Sequence, residues 1–259
     1  MFFFLLKKSF FDAWDNLGAV IMGNIATLLV GMAALWPAFA LMEAGSALGL
    51  IPMFAAIPLL FVVVGVVSAV MREIADYRRF AWSDLKEVLR KMWKPSLLLS
   101  LCASAFFAAS FFGMTYYTSL GGMLGLGAAA LLFWITLGVS MVLLWFFPAA
   151  NRLDGGFKKL LKKSAILMFD NLGLSLFMIF IAVPLQLFLW PITAFGAFGP
   201  AGIQLMLSGA LRLQLFRYDW MEEHPDASKK DVPWFELLLE ERDRVGKRTL
   251  RGMIFPWKE

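Results

Sequence analysis

One cysteine and one histidine are all this chain holds of the two side chains most used as nucleophiles, metal ligands and proton shuttles. The lone Cys102 can close no intrachain disulfide, and its place in an apolar run reads as packing rather than reactivity. His224 stands in a polar stretch beside Pro225, the setting of a solvated loop residue. There is no Gly-rich phosphate loop, no metal-ligand spacing and no nucleophile elbow. The chain is therefore expected not to be an enzyme and to need no cofactor and no metal. Charge is scarce too: 17% of residues are Asp, Glu, Lys or Arg, against about 25% in soluble domains. A secretory signal is not expected, because Lys7 and Lys8 follow the apolar Met1–Leu6 instead of preceding it, and no A-x-A-like site comes after.

What is abundant is apolar. Hydrophobic residues make up 60% of the 259, and mean hydropathy is +0.73. Uncharged stretches of at least about 18 residues recur, long enough to cross a bilayer core of about 30 Å. The composition predicts an all-α membrane protein with six transmembrane helices, at about 17–42, 50–71, 95–118, 121–149, 171–190 and 195–216. An amphipathic interface helix is expected at 1–16, the six-span domain at 17–217, and a cytoplasmic tail at 218–259.

The basic residues orient this map. Lys7 and Lys8 precede the first span, seven Lys or Arg lie in 72–94, five in 151–163 and ten from Arg212 onward, which accounts for all 24. The three remaining connections carry none. Positive charge is retained on the cytoplasmic side, so both termini are expected there, in a bacterial cytoplasmic membrane. The net charge of +5 follows from this partition and calls for no nucleic acid.

A phrase is written twice. KKSFFDAWDNLG at Lys7 and KKSAILMFDNLG at Lys162 agree at seven of twelve positions without a gap. Each copy reads as an amphipathic helix in the cytoplasmic headgroup layer, with Lys7, Lys8, Lys158, Lys159, Lys162 and Lys163 toward anionic lipid. The pairs Asp15–Asn16 and Asp170–Asn171 are expected to cap the helix that follows; the rival reading of the two aspartates, a paired carboxylate site, is weaker because copying a cap copies a turn. Each following span closes on Trp-Pro, making Trp36 and Trp190 interface anchors. SDLKEVLRKMWKPSLLLS resembles a degenerate third copy, with Leu85, Val88, Leu89 and Met92 on one stripe and Pro95 starting the span. Three such modules would make a parallel repeat of helix-plus-hairpin units.

Polar groups inside spans mark ligand paths or interhelix bonds. Asn24, Thr27, Gln186 and Gln204 are the candidates for either. Arg212 sits one turn from Arg217 and is expected to snorkel to the cytoplasmic surface rather than serve as a buried counter-ion. In the tail, Trp234, Phe235, Leu238 and Leu239 predict a short amphipathic helix, which, like the terminal FPWKE, would lie on the membrane or dock on a partner.

The stretch FFPAANRLDGGFKKLLKKSAILMFDNLGLSLFMIFIAVPL resembles the YesL family of bacterial membrane proteins, with Phe147–Pro148, Arg152 and the run from Lys158 to Ser164 in the family's positions. RRFAWSDLKEVLRKMWKPSLLLSL is similar to that family's lead into its middle spans. The resemblance covers roughly residues 1–217. Where the family closes its first span with Leu-Pro and Thr-Ile-Gly, LWPAFALM keeps only the proline, and the tail beyond Arg217 is unusual. The resemblance implies a protein often encoded beside sugar ABC importers, and hence an accessory or interacting subunit of a carbohydrate importer, with a permease or ATPase as partner. It brings no site residues. Neither 72–94 nor 151–163 holds the Glu-Ala-Ala…Gly loop by which importer permeases grip their ATPase. The alternatives are a small-molecule transporter or substrate-capture component, and a lipid-binding scaffold or regulator.

Overall fold

The computed structural model describes residues 2–228, 231–246 and 248. Among them there is no strand. The helices are α1 (Phe2–Asp15), α2 (Leu17–Glu43), α3 (Leu50–Ala75), α4 (Leu85–Leu120), α5 (Gly122–Arg152), α6 (Phe157–Asp170), α7 (Leu172–Phe177), α8 (Val183–Ile192), α9 (Pro200–Glu223), α10 (Trp234–Leu237) and α11 (Leu239–Val245). A π-helical turn at Met178–Ala182 joins α7 to α8. FPWKE, and Lys229 and Lys230, lie outside the described residues.

Five stretches are long and apolar enough to cross a membrane: Leu17–Glu43, Ala47–Ala75, Trp82–Leu120, Gly122–Arg152 and Leu172–Ile192. This is consistent with a multi-pass membrane protein. The sixth expected span, 195–216, is helical from Pro200 but is not one of the five. Its place in the fold explains why. Ala201 to Leu211 and Leu213, Gln214 and Arg217 are buried, so α9 is wrapped by protein and can carry Gln204, Ser208, Arg212, Gln214 and Arg217. Small residues admit its neighbours. A Cβ on Gly23 of α2 would meet Ala201 and Val67 at 3.2–3.3 Å, and Gly209 faces Leu5 and Ser9 of α1.

Two tie points set the course of α9. Its Ala201 is level with Val67 of α3, and its Arg212 bonds Asp76 just past the end of α3. The two helices therefore run parallel. Val67 is 17 residues into α3, so α9 starts about 26 Å short of the end where α2 meets α3, at 1.5 Å per residue. Asn24 gives the same depth independently, 19 residues before the end of α2 at Glu43. The hairpin of α7, α8 and α9 thus dips only partway along the bundle.

The interface helices also differ from expectation. α1 does not lie free on a lipid surface: Leu5, Lys8, Ser9, Phe11 and Asp12 are buried against the bundle. α4 runs unbroken through Pro95 for 36 residues, so the proline does not mark the helix start expected there. The segment expected as a degenerate third copy accordingly has no break between its surface helix and its span. The tail docks on its own chain rather than standing apart, with Leu238, Glu241 and Val245 buried. α1 and α11 meet, which brings the two ends of the described chain to one end of the bundle.

Candidate functional site: a buried charge network

At that end, charged side chains from five helices and the turn after α3 converge; Arg72 of α3 is the outermost, its Nε 3.5 Å from Asp76 Oδ2. Arg152, at the end of α5, donates to both oxygens of Asp76, Nη1 to Oδ2 at 2.9 Å and Nη2 to Oδ1 at 2.7 Å. Arg212 of α9 adds Nη1 to Asp76 Oδ1 at 2.7 Å and turns its Nε to Glu241 Oε1 of α11 at 2.9 Å. Lys8 of α1, with no exposed surface, donates to Asp12 Oδ2 and to the Tyr77 hydroxyl, both at 2.7 Å, and lies 3.2 Å from Glu241 Oε2. The Tyr77 hydroxyl in turn donates to Glu241 at 2.6 Å. Tyr77 holds this position with φ at +58°, a left-handed conformation that a bulky residue rarely adopts. Beside the network, Asn151 of α5 donates to Ser68 of α3.

The electrostatics follow from packing. Burial opposes ionisation of Asp76, but the hydrogen bonds and charges of Arg152 and Arg212 outweigh it and hold the carboxyl below its ordinary value. Burial likewise pushes Glu241 up, and Lys8, Tyr77 and Arg212 together bring it below. Asp12 goes the other way: burial dominates over Lys8 and raises its pKa to about 6. Tyr77 is raised, first by burial and then by its bond to Glu241. So two carboxylates are committed as anions, while a third sits near neutrality. The arrangement can latch the tail helix to the bundle and respond to a proton.

The expected site residues fall out as follows. Lys8 faces Asp12, Glu241 and Tyr77, not lipid, because the tail covers it. Lys7 is half-buried and donates to Gly246 O at 3.1 Å. Lys158, Lys159 and Lys162 are exposed on α6, while Lys163 bonds Asp154 O.

The Asp-Asn pairs are not N-terminal caps. Neither Asn16 nor Asn171 gives a side-chain cap to the following helix. Each instead donates back to the carbonyl four residues earlier, Asp12 O at 2.9 Å and Leu167 O at 3.0 Å. The backbone angles match, −122° and 33° against −126° and 45°. The aspartates take arginines from later in the chain, Asp15 from Arg248 and Asp170 from Arg217. Tyr218 also donates to Asp170, and with burial this pushes its own pKa up to about 12. The repeated phrase is an elbow: it closes a helix with the asparagine and ties the corner with the aspartate.

Asn24 is fully buried and fastens the loop between α8 and α9, donating to Gly196 O and Phe198 O at 2.7 and 2.6 Å and accepting from Ala201 N–H at 2.9 Å. It caps α9 from another helix. Thr27 bonds its own helix at Gly23 O. Gln186 abuts Gly202, and its Oε1 and that of Gln204 are buried without a hydrogen-bond partner. These four do not gather into one polar cavity. Trp36 is 73% exposed on α2, where the helix continues through Pro37. Trp190 folds back instead: its N–H donates to Phe195 O and its ring covers Gly199, so it closes the partway hairpin rather than marking a bundle end.

Asp76, Tyr77, Arg152 and Glu241 escaped the sequence reading, and Arg212 is a counter-ion rather than a snorkelling residue. Asp76 was hidden by the basic residues around it in MREIADYRR. The signal was Arg212 itself, a cation in a segment otherwise fit for burial, which requires a carboxylate. Among the described residues, no three His, Cys, Asp or Glu side chains are placed to hold a metal.

Compared with protein-family models, curated proteins and solved structures, the chain matches none.

Proposed function

We propose that this chain is a non-catalytic bacterial membrane protein that works by binding, as an accessory or interacting subunit of a carbohydrate ABC importer in the cytoplasmic membrane, with both termini in the cytoplasm. The observation that carries the binding reading is the network: seven ionic side chains are spent on holding α1, the tail and four further segments together, not on surrounding a polar chamber. The importer as partner rests on the YesL resemblance. Autonomous transport would need a polar path, and Asn24 and Thr27 spend their groups on backbone.

Purification from native membranes after mild cross-linking, with mass spectrometry of what accompanies the chain, tests this. A stoichiometric permease or ATPase supports the proposal, and a chain recovered alone or only with itself overturns it.

A lipid-scaffold reading is favoured by one feature, the exposed Lys158, Lys159 and Lys162 on α6. Reversing those charges should then weaken binding to anionic vesicles; unchanged lipid preference removes this reading.

A further inference from the structure

A groove of about 610 Å³ runs between α1 and α8 over α9. Leu6, Phe10 and Trp14 of α1 form one wall and Leu185 of α8 the other, with Gly202 and Met206 of α9 as floor. Phe198 closes one end, where Asn24 holds the partway loop. Two charged groups line the groove, Lys7 and Arg248, and both are cations. Lys7 gives one of its three N–H donors to Gly246 O, and Arg248 meets Asp15 through Nη1 alone.

The size lies within the range of about 300–1,000 Å³ usual for ligand sites, which are mostly apolar with a few placed polar groups. The Leu185 wall adjoins side chains that face outward along the same stretch, Ile181 and Phe188. A ligand reaching the groove sideways therefore comes from the hydrocarbon phase, and the charge at the cationic end selects its head.

We infer that this groove holds an acyl chain of one anionic phospholipid from the surrounding leaflet, with the phosphate at Lys7 and Arg248 and the chain end toward Phe198. The site exists because the hairpin stops partway: a full-length α9 and its loop would carry Phe198 and Gly202 past the level of α1 and leave the groove without an end. α1 is thereby a lipid-binding wall by its apolar side, while Lys8 on its other side is occupied by the charge network. This inference stands apart from any importer partner.

The test uses the full chain in detergent, reconstituted with phosphatidylglycerol or with phosphatidylcholine of the same acyl chains, and reads retained lipid by native mass spectrometry. One phosphatidylglycerol should be retained per chain. The preference over phosphatidylcholine should be about fivefold or more, as a cation beside an anionic headgroup provides. Lys7→Gln should cut that preference several-fold while the chain stays folded. Ala197→Trp, which fills the closed end, should abolish retention of both lipids. Leu185→Trp fills the same groove from an exposed position and serves should the first variant not fold. Equal retention of the two lipids, no retained lipid, or undiminished retention by a folded groove-filled variant would overturn the inference.

Discussion

Removing the Asp76 carboxylate is the severest single test of the charge network. Asp76→Ala deletes three charge-assisted hydrogen bonds of 2.7–2.9 Å, two from Arg152 and one from Arg212. It leaves the guanidinium groups of Arg152 and Arg212 facing each other, with side chains 9% and 21% exposed, beside the more exposed Arg72. Breaking a buried ion pair by deleting one partner costs about 3–5 kcal/mol. The Arg152 side bears most of this, because Arg212 is partly solvated and keeps Glu241. The expected loss is about 3–4 kcal/mol, or about 10 °C in Tm for a chain of this size. Thermal unfolding of detergent-purified protein, followed by tryptophan fluorescence, measures it. Asp76→Leu combined with Arg152→Leu should recover part of the loss, since an apolar pair of matching volume removes the stranded charge. The sign with pH is fixed by the direction of the shift. Asp76 ionises below its ordinary 3.8 in the folded chain, so its contribution is present above that value and is lost only as pH falls through the folded pKa. The deficit of the variant should therefore be equal at pH 6 and pH 8. A Tm within about 2 °C of the parent, or a double variant no better than the single, would refute the assignment of Asp76 as the hub.

Other positions give sharper contrasts. Asp12, raised from 3.8 to about 6 mainly by burial, binds its proton more tightly folded than unfolded, so stability should fall as pH rises from about 4 to 6 through this group. Asp12→Asn should flatten that slope in pH-resolved melting curves, and an unchanged slope would assign it elsewhere. Asn24→Ala removes three hydrogen bonds at a fully buried position, an expected loss of about 3 kcal/mol. Hydrogen exchange at residues 193–203 should rise with it, while the helical ends of α4 and α5 stay unaffected. Gly65→Val places a Cβ 2.5 Å from Ser96 Oγ and 3.0 Å from the Phe147 ring, and overpacking of this kind costs about 1–3 kcal/mol. Melting at or above the parent Tm would show that α3, α4 and α5 are looser there than their packing indicates.

Hydropathy made the five long apolar stretches readable, four of them within a few residues and the third with its start ten residues late, because such runs announce themselves by composition alone. The last helix did not follow. α9 reads as a weak span because its solvent is neither lipid nor water but protein, and no window average separates a helix wrapped by its neighbours from a marginal transmembrane one. The repeated Asp-Asn pair was visible, but its chemistry was reversed: the asparagine bonds backward at four residues, which sequence cannot distinguish from a forward cap. Lys8 was assigned to lipid because its partners, Tyr77 and Glu241, are 69 and 233 positions away. Local periodicity states which face of a helix is polar; it does not state whether that face meets headgroups or another part of the same chain.

The depth at which α9 begins bears on how the protein is built. A segment carrying Gln204, Arg212, Gln214 and Arg217 is too polar to partition into hydrocarbon unaided, since a charge at the bilayer centre costs several kcal/mol. It becomes tolerable only where α1, α2, α3 and α5 already supply small contact residues, the Asn24 amide and the Asp76 carboxylate. The berth is completed from both sides in sequence: α1, α2, α3 and α5 precede α9, and the tail that brings Glu241 to Arg212 follows it. A variant that weakens the berth for α9 should therefore be scarce in the membrane before it is defective in any function.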